Sequence, residues 1–269
     1  MIYLEMPGHV PWLLVSATLV GWILYLSAYL HLQAQGRSWS PWRVSSFAGG
    51  IVLVLVALLP PVSTFAHADL RGHMLQHLLL GMFAPLGLVF GAPGTLLLKT
   101  LPSAQARGLV TFLGRPLPRR LTHPLTAAVL DMGGMYLLYL TPLYAASQNS
   151  PWLHTWLHLH FLVSGYLFTW SIAGPDPALH RPSLCTRLVV LFLATAAHAA
   201  LAKLMYGFSY PRGLGLESIE LQRAAQWMYY GGDMAEALLI VAFCSLWFRR
   251  RRKNTHMPLP ALMKSLSTH

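Results

Sequence analysis

With 269 residues, 55% of them hydrophobic and only 10% charged, and a mean hydropathy of +0.50, the chain has a membrane composition and not that of a soluble domain. In such a chain Lys and Arg collect in cytoplasmic loops, so the formal net charge of +11 reads as topology and nucleic acid is not an expected partner. The two cysteines, Cys185 and Cys244, stand far apart and form no CxxC or CxxxC pattern, which argues against a thiol copper shuttle or a disulfide framework.

A transmembrane helix needs roughly 20 predominantly apolar residues. Seven runs of that kind predict an all-α polytopic helical bundle, over residues 11–32, 44–61, 72–98, 124–145, 152–173, 187–208 and 221–248. The N-terminal stretch MIYLEMPGHVPWLLV has neither a basic n-region nor a small-residue cleavage site, so its apolar run is expected to stay as the first helix. Residues 1–253 are read as a single seven-helix transmembrane domain and 254–269 as a short basic cytoplasmic tail. Pro85, inside the third run, is expected to kink the helix or free a carbonyl. Between the third and fourth runs lies the one long loop, with an amphipathic piece at Ser103–Leu113 suited to the membrane surface.

Sorting the basic residues by loop orients the bundle. Arg37, Arg43, Lys99, Arg107, Arg115, Arg119, Arg120, Arg181, Arg187, the run 249–253 and Lys264 fall on one side, fifteen of nineteen. Arg71, Arg212 and Arg223 fall on the other, and Lys203 lies within a run. By the positive-inside rule the N-terminus is outside and the C-terminus cytoplasmic. Trp12, Trp152 and Trp227 near outer ends and Trp39, Trp42 and Trp247 near inner ends fit aromatic belts.

With that orientation the histidines sort by depth. His73 and His77, in RGHMLQHLLL, are four residues apart at the outer start of the third run and so share one helical face. His154 and His158 repeat the spacing at the outer start of the fifth, in WLHTWLHLHF, with His160 on another face. Two facing HxxxH pairs supply neutral imidazoles to one metal ion, although a single interfacial histidine is more often just a hydrogen-bonding residue. His198 lies in the outer half of the sixth run, within reach of the same region, and Lys203 is expected to snorkel or pair with an acid. Met74, Met205 and Met228 occupy outer positions where thioethers suit Cu(I), while methionine in an apolar helix more often packs. Asp131, Asp233 and Glu236 are carboxylates inside runs, expected to pair, stay protonated or face a polar cavity. His9 and His67 lie outside the outer ends, placed to pass metal inward; His31, His123, His180 and His256 lie on the cytoplasmic side.

The segment HMLQHLLLGMFAPLGLVFGAP at 73–93 resembles the CtaG family of membrane cytochrome c oxidase assembly factors. The resemblance continues in THPLTAAVLD at 122–131, the histidine-rich start of the fifth run and FLVSGYLFTWSIAGPDP at 161–177, then more weakly in QWMYYGGDMAEALL at 226–239. It implies a seven-helix protein of the bacterial cytoplasmic (inner) membrane, not itself an enzyme, that brings copper to the copper B centre of a haem–copper oxidase. Its implied partners are the oxidase catalytic subunit, a periplasmic copper donor and the lipid bilayer. The family-like positions are His73, His77, His123, His154, His158 and Asp233. The sequence departs from many relatives at Glu220, Leu221, Gln222 and Arg223, where they carry an acidic-Gln-Gln stretch. The residues leave two other readings open: a b-type haem redox protein with axial histidines from two helices, and a copper permease using Asp131, Asp233 and Glu236 at depth.

Overall fold

The computed structural model describes residues 11–177 and 181–255, with side chains placed through residue 248, and among these it is helical with no strand. Helices α1 (Trp12–Ala34) and α2 (Pro41–Leu58) match the first two expected runs. The third is composite: a short α3 (Val62–Ala68), then α4 (Leu70–Leu78), a π-helical turn (Leu79–Phe83), α5 (Ala84–Phe90) and α6 (Pro93–Thr100). The loop carries α7 (Ser103–Leu113) and α8 (Pro116–Leu121). Then come α9 (Pro124–Leu140), α10 (Leu143–Gln148), α11 (Pro151–Ala173), α12 (Leu184–Phe208) and α13 (Ser218–Thr255). The expected fourth run stops five residues early, at Leu140, because Pro142 disfavours helix at the residue before it and α10 restarts beyond.

Five helices are long and apolar enough to cross a membrane: Trp12–Ala34, Pro41–Leu58, Leu70–Thr100, Leu184–Phe208 and Ser218–Phe248. Helix α9, with 17 residues, is apolar but spans only about 26 Å. Helix α11 has length enough at 23 residues, but His154, His158 and His160 dilute its hydropathy. Each has one face buried in the bundle and one exposed apolar face, with Val129 and Leu137 on α9 and Trp156 and Val163 on α11. α11 packs on α5, α9, α10, α12, α13 and the π turn, so its polar side chains face protein. The outward faces are apolar, as with Leu188, Val189, Phe192 and Leu193 on α12 and Leu238, Ile240 and Val241 on α13. A surface of that kind is matched by lipid, not water.

Pro85 explains the irregularity in the third run. It has no N–H to return to the Gly81 carbonyl four residues back, and the helix widens into the π turn just before it. Gly165 of α11 then approaches that carbonyl so closely that an added Cβ would collide with the Gly81 oxygen. Gly165→Ala is therefore expected to destabilise the protein by about 1–3 kcal/mol, since the obstacle is backbone and cannot rotate away. Gly133→Ala on α9, where a Cβ meets nothing within 4 Å, serves as the control. Thermal unfolding in detergent compares the two; equal midpoints would remove the close approach from the account.

Candidate metal centre

The site starts from α3 and α4. Asp69 caps α4, its carboxylate accepting from the Arg71 backbone N–H at 2.8 Å, and it also pairs with the Arg71 guanidinium. The turn is tight because Gly72 lies against the Phe65 backbone, where a side chain has no room. This folds α3 over the start of α4 and brings His67 beside the two histidines of α4. The Arg71 hydrogen bond holds the Asp69 carboxyl below its ordinary pKa. A depressed carboxylate pKa contributes stability that is present above the unfolded value and lost as pH falls through the folded one. Asp69→Asn should thus lower the unfolding midpoint at neutral pH and lose its effect as pH falls through the depressed pKa of that carboxyl. An undiminished difference at low pH would contradict this cap.

The HxxxH spacing does what a helix requires: His73 and His77 project from one face of α4, and His154 and His158 from one face of α11. All four are buried, and together they line a cavity of about 10 Å³ closed by Leu80, Leu138, Leu157 and Phe161. That is room for about one water-sized sphere. The His154 and His158 ring centroids are 4.3 Å apart, His73 and His154 are 6.4 Å apart, and exposed His67 stands 5.1 Å from His154. A row of imidazoles therefore runs from the surface inward. Tyr144 lies edge-on to His73 at 4.8 Å, and Phe161 to His77 at 4.8 Å.

Seven ring nitrogens of these four histidines are buried with no hydrogen-bond partner in the protein. An unpaired buried polar atom costs roughly 1–3 kcal/mol, and so many in one place call for an exogenous partner. His160 shows the contrast: its Nε2 lies 3.1 Å from the Leu130 carbonyl, so it is a structural histidine. The donor set fits a borderline ion, with copper(II) at the head of the affinity order for nitrogen ligands. The rings are not a closed cage, however: among the described residues no group of three or more His, Cys, Asp or Glu side chains is arranged to hold a metal ion as it stands.

The other sequence candidates lie elsewhere. Met74 is fully buried in the main apolar core with Met205 and Met228, and does not line the histidine cavity. His198 packs against Gly232 on α13, with its Nδ1 3.6 Å from Glu236. Asp233 is exposed, whereas Glu236, three residues on, faces inward. Glu236 lines a cavity of about 20 Å³ with Asp131, whose carboxylate accepts from Ser164 at 2.8 Å. His123, family-like in sequence, caps α9 through Nδ1, accepting from the Leu125 N–H at 3.3 Å. It lies roughly 22 Å along α9 from the level of Leu138. His9, His180 and His256 lie outside the described residues. Sequence reasoning missed Tyr139 and Tyr144, which wall the histidines, because aromatic residues carry no ligand spacing to flag them.

The family model for the cytochrome c oxidase caa3 assembly factor matches residues 23–250. The chain belongs to this family. Among curated proteins, uncharacterized proteins of Mycobacterium bovis and Mycobacterium tuberculosis are each 31% identical over 268 residues, covering 90% of this chain and 39% of their own length. One from Mycobacterium leprae is 32% identical over 194 residues, 69% of this chain and 29% of its own. The chain thus spans about two fifths of the length of the first two. No solved structure matches. As a member of the caa3 assembly-factor family, the chain is a membrane protein whose family acts in building cytochrome c oxidase.

Proposed function

We propose that this assembly factor holds copper as cargo at His73, His77, His154 and His158 and passes it to the copper B centre of a haem–copper oxidase. The observation that carries the reading is the convergence of four buried imidazoles, seven of whose ring nitrogens are buried with no protein partner. Copper B lies within a membrane-embedded subunit, so its donor needs a membrane-embedded site. A cargo site must also release, which an open histidine set favours over a closed tetrahedral one. Exposed His67 supplies the way in, receiving metal from a periplasmic donor and leading to His154.

In this reading the protein is a seven-span component of the bacterial cytoplasmic membrane with the N-terminus outside, docking on the oxidase catalytic subunit and catalysing no reaction of its own. The charge asymmetry of the loops supports the orientation. α9 and α11 count as spans because α11 buries its histidine face against α4, α9 and the π turn while exposing Trp156 and Val163, and α9 packs against both α11 and α12. The histidine cavity, at about 10 Å³, has no room for a porphyrin, which favours a bare ion over a b-type haem.

The test is direct. The purified protein is loaded with copper(II), dialysed against a weak chelator and analysed for metal, and its reduced-minus-oxidised spectrum is recorded. Retained copper without a haem alpha band is the expected result; an alpha band with no copper above the buffer blank would overturn the proposal.

A further inference from the structure

A cavity of about 360 Å³ at the basic end of the bundle has no part in the histidine site. Leu98 of α6 and Tyr166, Leu167 and Trp170 of α11 form its wall, and Leu109, Val110 and Leu113 of α7 form its roof. Helix α7 is amphipathic, yet none of its residues is buried. Its apolar side covers this cavity instead of packing into the protein core, which leaves that side without an apolar partner.

Cationic side chains outnumber acidic ones around the cavity. Residues 99–122 contain Lys99, Arg107, Arg115, Arg119 and Arg120 and no acidic residue. Arg119 and Arg181 reach the cavity itself. Arg181 donates to the Asp176 backbone carbonyl at 2.9 Å and lies 5.8 Å from the Trp170 ring centre. Asp176, the one carboxylate among the described lining residues, accepts from the Gly94 N–H at 3.2 Å, the Thr95 N–H at 2.7 Å and the Thr95 hydroxyl. Two guanidinium groups beside an apolar chamber match a molecule with an anionic head and a hydrocarbon tail. Basic pockets of this kind between membrane helices recognise anionic lipid headgroups.

We propose that this cavity binds an anionic glycerophospholipid, with an acyl chain beneath α7 and the phosphate held by Arg119 and Arg181. The bound lipid fastens α7 to the bundle by giving its apolar side a partner. This function is separate from metal handling and does not depend on it.

The test uses the full-length protein in detergent, with phosphatidylglycerol and phosphatidylcholine of identical chains added in equal amounts and retention read by native mass spectrometry. Phosphatidylglycerol should be retained at least about tenfold over phosphatidylcholine. Arg119→Gln and Arg181→Gln should each lower its retention roughly fivefold. Leu113→Trp fills the chamber with both arginines in place and should lower retention as well, which keeps the test decisive if the Arg181 variant does not fold. Arg107→Gln, outside the cavity lining, should leave retention unchanged. Equal retention of the two lipids, an Arg107→Gln loss as large as that of Arg119→Gln, or full displacement by inorganic phosphate would each overturn the proposal.

Discussion

Replacing His73 and His77 together with alanine, or His154 and His158 together, is expected to lower copper retention at least about 100-fold, because even outer-shell changes at metal sites cost 10–100-fold. Each double variant leaves two imidazoles on one helix and none on the facing helix, so the ion loses half its ligands. Thermal unfolding supplies an independent readout. Copper that binds only the folded protein stabilises it by about 2.7 kcal/mol at a hundred times its Kd, and the double variants should lose that upshift. Without copper they should unfold near the parent temperature, since the substitutions also remove nitrogens that have no partner in the protein. The exposed His31, whose Nε2 lies 2.9 Å from the Gln35 amide, is the control, and His31→Ala should retain copper. Retention equal to the parent in both double variants would place the site elsewhere in the molecule.

Loss of the protein from its host is expected to leave oxidase polypeptide and haem in place with the copper B centre empty, so that oxidase activity falls in proportion to the copper missing. The chemistry behind this is delivery, not electron transfer. A donor raises the local supply of an ion, so excess copper in the medium should restore part of the activity by mass action. An electron carrier admits no such bypass, because copper ions do not replace it. A fully copper-loaded oxidase with a normal spectrum in the deletion strain would reject the delivery reading. Complementation with the His154 and His158 double variant joins the two predictions: a variant that cannot hold copper should not restore the centre.

Much of the architecture was legible before any coordinates. Apolar runs of about 20 residues have few alternatives to a membrane helix, and the i, i+4 spacing of two histidine pairs can only place each pair on one face. The family followed from short segments such as 73–93, where polar and small residues interrupt an otherwise apolar helix at characteristic places. Depth alone was a weaker guide. Met74 and His198 lie at the right level yet on faces that meet the apolar core and Glu236, and Asp233 faces outward while Glu236 faces in. A linear sequence gives the rotation of residues within one helix but not which neighbour that face meets.

By itself, then, the sequence determined a helical membrane protein of the oxidase assembly-factor family, its charge asymmetry and its two histidine pairs. The helices, the charge asymmetry and the histidine pairs depend only on composition or on spacing along a single helix, and the family rests on the resemblance of particular segments such as 73–93. The tertiary structure decided that the two pairs face one cavity, that exposed His67 joins them through the fold at Gly72, and that α11 tolerates His154 and His158 by turning them toward protein. It also decided that α7 roofs a chamber beside two arginines. The physical reason is that contacts between helices depend on how closely backbones approach: between the third run and α11 this is set by the π turn that Pro85 brings about and the missing side chain at Gly165, and between α3 and α4 by the missing side chain at Gly72, none of which has a meaning until the helices are placed together.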